Sequence, residues 1–229
     1  VINALCSRDV SHAQMCAGGV ADVSNRAIGV TKCAKSFVTG CGILVTDTMG
    51  TDDNDRPDET VPKMMADAKL LFRNANDGDV GYTHLILVVK QDRISNAGLR
   101  ALTIVKNVLP ADAWGNVMLY NSHADDSTDV DEWFAQCKGL ASSGDTNARA
   151  LVEVKELLDT HNCPQLAGSL AFDKSAETDA MVQKARGQLR EKTLAGLLKF
   201  VDTRKEPIPA MEMSWKEWWV TGGGTKLWQ

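Results

Sequence analysis

The stretch richest in chemistry is Gly42-Ile43-Leu44-Val45-Thr46-Asp47-Thr48-Met49-Gly50, an apolar run that ends in Asp-x-x-Gly. An Asp at a strand end can approach the water shell of a Mg2+ ion in a nucleotide-hydrolysing switch. The Gly backbone N–H can meet a terminal phosphate, because glycine allows close approach and unusual dihedrals. The same letters also describe a strand end with a turn-forming Asp. Two rival chemistries fail at one position. A dehalogenase-type phosphatase needs Asp-x-Asp-x-Thr, and here Met49 takes the acid/base place, where a thioether shuttles no proton. A metal-adhesion site needs Asp-x-Ser-x-Ser, and Met49 fails there as well.

Ser122-His123-Ala124-Asp125 follows the apolar run Val117-Met118-Leu119-Tyr120. A carboxylate there can accept two hydrogen bonds from the edge of guanine, which adenine cannot supply, and the planar His can stack on the base. Asp125, Asp126, Ser127 and Asp129 are equally good helix caps. Phe172-Asp173-Lys174-Ser175 reads as the end of the last strand, either a loop lining a base or a turn capped by Ser175. His12, His84 and His161 stand alone, and His84, opening an apolar strand, reads as a satisfied edge residue. Lys184, Arg186, Arg190, Lys192 and Lys199 make one side of the last helix basic, most simply a solvated face.

The elements that must position these residues alternate along the chain. Residues 34–39 and 42–46 read as two short strands around a Gly40-Cys41-Gly42 turn. Residues 84–90 form a continuous apolar run, as in a strand covered on both faces. Residues 116–120 and 169–172 are shorter runs of the same kind. Helical spacing marks 61–74, 96–109, 129–137, 147–158 and 177–201, the last capped by Ser175. Strands alternating with helices predict an α/β fold with a mostly parallel sheet. Residues 51–59 are a polar loop after a strand, where α/β sheets bind ligands.

Composition bounds the rest. The chain has 229 residues, a formal charge of −5 and a hydrophobic fraction of 44%, as in a globular protein with a sizeable core. The acidic balance argues against a broad phosphate-backbone binder, so no nucleic-acid partner is expected. No run approaches the roughly 20 apolar residues of a membrane span. The six cysteines form no CxxC pair; Cys16, Cys33 and Cys41 are too scattered for a metal site and read as reduced, partly buried thiols of a cytosolic protein. Residues 204–229 carry two prolines, four of the six tryptophans and Gly222-Gly223-Gly224, a tail that packs on a partner, a membrane surface or the domain itself.

In order and spacing these motifs resemble the immunity-associated GTPases of the avirulence-induced type and, more distantly, septin-like and chloroplast import-receptor GTPases. The matching text is Ile2-Asn3-Ala4-Leu5, Gly29-Val30-Thr31-Lys32-Cys33, Val45-Thr46-Asp47-Thr48-Met49-Gly50, His84-Leu85-Ile86-Leu87-Val88, Val108-Leu109-Pro110-Ala111-Asp112-Ala113-Trp114 and Ser122-His123-Ala124-Asp125. The resemblance implies a three-layer P-loop GTPase-like domain over residues 1–203. Its first strand and P-loop would lie before Val1, and 204–229 would be the tail. It implies GTP/GDP and Mg2+ as ligands and slow hydrolysis by in-line attack of water, regulated by a homodimer. The location would be cytoplasmic or peripheral at an intracellular membrane. Thr31 would close on Mg2+ and the γ-phosphate, Asp47 would meet Mg2+ through water, and Gly50 would contact the γ-phosphate. Ser122, His123 and Asp125 would hold guanine, with His123 stacking and Asp125 reading its edge. Phe172 and Asp173 would fall in the base-lining loop. The chain departs from the family in three ways: it holds no G-x-x-x-x-G-K-[ST], Met49 replaces a proline, and Thr51 stands where some GTPases position water with Gln. The alternative is a nucleotide-free scaffold of the same fold.

Overall fold

The computed structural model describes residues 1–11, 19–21, 35–48, 82–90, 111–124, 146–172, 179–203 and 205–208, and, between them, 106, 109, 132, 135, 138–139 and 141–144. The chain opens with a short helix, α1 (Ile2–Ser7), ended by Arg8 in the left-handed region at φ 53°. Asn3 on this helix is buried and acts as a clamp: its side chain accepts from Ala21 N–H at 2.7 Å and donates to Ala21 O at 3.0 Å.

The strands β1 (Lys35–Val38) and β2 (Leu44–Asp47) pair antiparallel, with Lys35 opposite Asp47 and Val38 opposite Leu44. The predicted turn joins them. Thr39 N–H donates to Ile43 O at 2.8 Å, and Gly42 turns at φ 82°, a conformation that glycine adopts without strain.

The strands β3 (Leu85–Lys90), β4 (Val117–Ser122) and β5 (Gln165–Gly168) make a parallel sheet in the order β3-β4-β5. Register runs from Leu85 opposite Val117 to Lys90 opposite Ser122, and from Leu119 opposite Gln165 to Ser122 opposite Gly168. Parallel pairing requires long crossovers. The second of these contains α2 (Thr146–Thr160), which buries Ala148, Val154 and Leu158. The expected α/β class with parallel strands is therefore present. β4 is the middle strand and is buried from Val117 to Asn121.

A last helix, α3 (Ala180–Val201), covers the sheet from one side. Met118 and Tyr120 of β4 pack there with Leu170, with Ala4 and Leu5 of α1, and with Leu194, Leu197 and Phe200 of α3. The approach of α3 to β5 is close. A Cβ on Gly168 would overlap Thr193 Oγ1, and one on Gly196 would lie 2.9 Å from Leu166 Cδ1. His84 is satisfied as expected: its Nε2–H donates to Thr203 O at 2.8 Å, and Nδ1 pairs with Thr83 Oγ1 at 2.8 Å. Its ring meets Phe200 edge-on at 4.9 Å.

Three expectations are corrected here. The last strand is Gln165–Gly168 and not 169–172. Ser169 turns the chain away, its Oγ accepting Ala171 N–H at 3.2 Å, so Phe172 stands in a loop. The last helix is capped by Asp179, whose carboxylate accepts Met181 N–H at 2.7 Å, and not by Ser175. Met181, which the helical spacing of 177–201 counts among its apolar positions, is 79% exposed rather than core. The helices read at 61–74 and 96–109 and most of that at 129–137 lie outside the described residues, as do 209–229. The segment 205–208 docks onto the domain: Ile208 is buried, and its N–H donates to Tyr82 O at 2.7 Å. Among the described residues no helix is long and apolar enough to cross a membrane.

Candidate functional site

In a parallel sheet the carboxyl ends of the strands face one rim, where loops collect ligands. The loops leaving β4 and β5 stand side by side on that rim because Ala124 N–H donates to Gly168 O at 3.2 Å. Ser122 Oγ–H donates to Val89 O at 3.0 Å and ties the end of β4 to β3. Tyr120 O–H reaches Gly168 O at 3.3 Å. Burial pushes its phenol up to about 12, so it stays a donor at neutral pH.

His123 follows β4 at φ 63°, a left-handed conformation that His visits more readily than bulky residues. On the other side, Ser169 N–H donates to Thr193 Oγ1 at 3.2 Å while that hydroxyl donates to Leu189 O at 2.7 Å. The turn that presents Ala171 and Phe172 is thus anchored to α3.

Between the loops lies a cleft of about 340 Å³. His123 and Ala124 line it from one loop, Ser169, Ala171 and Phe172 from the other, and Arg186 and Leu189 from α3. That volume suits a ligand of one or two rings. The Arg190 guanidinium lies 4.1 Å from the Phe172 ring centroid, a cation–π geometry, and donates to Ala171 O at 3.4 Å. Burial lowers the Arg190 pKa, with the Arg186 charge one turn away a further cause.

Of the residues chosen from sequence, His123 and Phe172 line the cleft together. Ser122 stands beside it, with its hydroxyl turned to β3. Asp47 ends β2 and does not line this cleft. Thr31, Gly50, Asp125 and Asp173 lie outside the described residues. Among the described residues no group of three or more His, Cys, Asp or Glu side chains could hold a metal ion.

Three free thiols are described. Cys163 is buried, donates to Trp114 O at 2.9 Å, and has its pKa pushed by burial to about 11. Cys6 is half-buried, and Cys41 is exposed. The Thr39 hydroxyl at 3.1 Å holds the Cys41 pKa below its ordinary value, and Arg8 adds to this.

Sequence reading missed Arg186, Leu189 and Arg190, since helical spacing alone made them a solvated stripe and a core position. It also missed Asn121, 1% exposed, whose side-chain N and O find no partner among the described residues. A polar residue closing the apolar run 117–120 was the available signal. No known family model matches the chain, and no curated protein matches it.

Proposed function

We propose that this chain belongs to a GTP-binding switch that hydrolyses GTP slowly with Mg2+, and that the cleft between the β4 and β5 exits holds guanine. The observation that carries the reading is the pairing of His123 and Phe172 across one cleft at the carboxyl rim of parallel strands. Such walls accept the flat of a purine. Asp125, two residues beyond His123, supplies the acceptor pair for the N1–H and amino edge.

Mg2+ takes oxygen ligands and is bound by one or two carboxylates together with substrate phosphates. Asp47, at the end of β2, would meet the ion through water, and Thr31 would supply a hydroxyl to it. The β1–β2 hairpin and Gly50 would respond to the γ-phosphate. Two copies would pair, and pairing would raise the slow turnover.

Titration of the intact protein with a fluorescent GTP tests this. Tight, Mg2+-dependent, guanine-selective binding is expected, and Asp125→Asn is expected to move the preference toward xanthine nucleotides. No binding, or binding without base preference, overturns the reading. It would favour the scaffold alternative, which draws on the lack of any G-x-x-x-x-G-K-[ST] in these 229 residues.

A further inference from the structure

Neighbouring residues of a strand turn their N–H and C=O groups to opposite sides. In the stretch 82–90, Thr83 O accepts from Asn116 Nδ2 at 2.9 Å and Val89 O from Ser122 Oγ–H at 3.0 Å, so the odd-numbered residues face β4. The even-numbered Ile86 and Val88 therefore face the outer edge of β3, where the described residues place no strand. The β1–β2 hairpin is linked to this stretch by a side-chain contact, Thr46 Oγ1 to Tyr82 Oη at 2.7 Å, while β2 pairs its backbone with β1. An open edge with Ile86 and Val88 on it, the latter 51% exposed, is a template for a further strand.

One rung of that strand exists. Ile208 N–H donates to Tyr82 O at 2.7 Å, on the outer side. In a parallel ladder this sets Ile208 opposite Thr83. Continued in step, Ala210, Glu212 and Ser214 would lie opposite Leu85, Leu87 and Val89 and donate to His84 O, Ile86 O and Val88 O. Pro207 and Pro209 fall on the positions between, whose missing N–H groups would face away from β3, the place where an edge strand accepts proline. Met211-Glu212-Met213-Ser214-Trp215-Lys216 alternates apolar and polar residues, the pattern of a half-covered strand. In this register Met211 falls beside Ile86 and Met213 beside Val88. Both lie on the sheet face that packs on α3, since Val88 is opposite Tyr120.

We propose that residues 210–215 add to the outer edge of β3 as a fourth parallel strand, with Met213 covering Val88. Held at its foot by Ile208, this segment reaches the edge without the association cost that a second copy would carry. The chain beyond it would leave at the carboxyl rim and bring Trp218 and Trp219 to the end of the sheet where the cleft opens. The inference is independent of what the cleft binds.

Amide hydrogen exchange of the full chain, read residue by residue by NMR, tests it. The Ile86 and Val88 amides are expected to exchange more slowly, by about tenfold or more, than in a chain ended after Ile208. Leu87 and Val89, which face β4, stay protected in both. Two full-length variants give the same answer without truncation. Glu212→Pro removes a rung and is expected to release the Val88 amide, whereas Met211→Pro, at a position whose N–H faces away, is expected to leave it protected. A nuclear Overhauser contact between the Met213 methyl and the Val88 methyls is expected in the full chain. Ile86 and Val88 amides that exchange as fast in the full chain as in the shortened one overturn the proposal. Protection that survives Glu212→Pro overturns it too, and protection that rises with protein concentration assigns the edge to a second copy instead.

Discussion

At the scale of single residues, most polar groups in the interior carry a partner, and the partner decides their chemistry. His84 donates to Thr203 O and abuts Phe200. Burial lowers its pKa from 6.5, with the nearby Lys205 charge a further cause. The folded state therefore binds the proton less well than the unfolded chain, and stability depends on pH through this group. Its contribution is complete above pH 6.5 and is lost as the pH falls through 6.5 toward the lowered native value. Urea melts are expected to show a midpoint that drops between about pH 7.5 and pH 5. His84→Gln keeps an N–H for Thr203 O and is expected to flatten that drop; an unchanged slope assigns it to other groups.

At the scale of elements, the contact that positions the cleft is the near approach of α3 to β5. Gly168 leaves no room for a side chain, because Thr193 fills the space while accepting from Ser169 N–H and donating to Leu189 O. Gly168→Ala must displace that hydroxyl and both of its hydrogen bonds. A loss of about 1–3 kcal/mol is expected, as for overpacking at a tight contact. Thr193→Ala in the same chain is expected to return part of it, so the double-mutant cycle should show coupling between the two positions. Additive losses would mean that the two residues do not share the contact. Because Gly168 O also accepts from Ala124 N–H and Tyr120 O–H, displacing it moves both walls of the cleft.

At the scale of the whole molecule, the start of the Pro/Trp-rich segment is part of the domain. Lys205 Nζ donates to Gly115 O at 2.9 Å, Asn116 Nδ2 to Glu206 O at 2.6 Å, and Ile208, 2% exposed, donates its N–H to Tyr82 O just before β3. This strap closes the end of the sheet opposite the cleft, where β3 and β4 begin. Ile208→Ala is expected to cost about 2–5 kcal/mol, the range for truncating a buried Ile. For a chain of this size each 1 kcal/mol lowers Tm by about 2–4 °C, which a thermal melt resolves. A melt within 1 °C of wild type would place Ile208 outside the cooperative core, a limit taken as about a quarter of the smallest expected shift.

The strands were legible in the letters for a simple reason. Apolar runs such as 85–89 and 117–120 have no stable place in water, and their length leaves a strand as the outcome; the cover expected on both faces is found for β4 but not for β3, where Val88 is 51% exposed. The Gly40-Cys41-Gly42 turn was legible because it needs a residue at positive φ. His123 stood out because it lies just past such a run. What the letters left open was decided by contacts between distant segments. Residues 165–168 rather than 169–172 pair with β4, and at Gly168 the strand meets Thr193, a helix residue 25 positions on, with no room for a side chain. Arg186 and Arg190 read as a solvated stripe because helical spacing reports which residues share a face and not what that face meets. Only the packing of α3 over β5 brings that face against Phe172, and makes two surface charges part of the wall of a cleft.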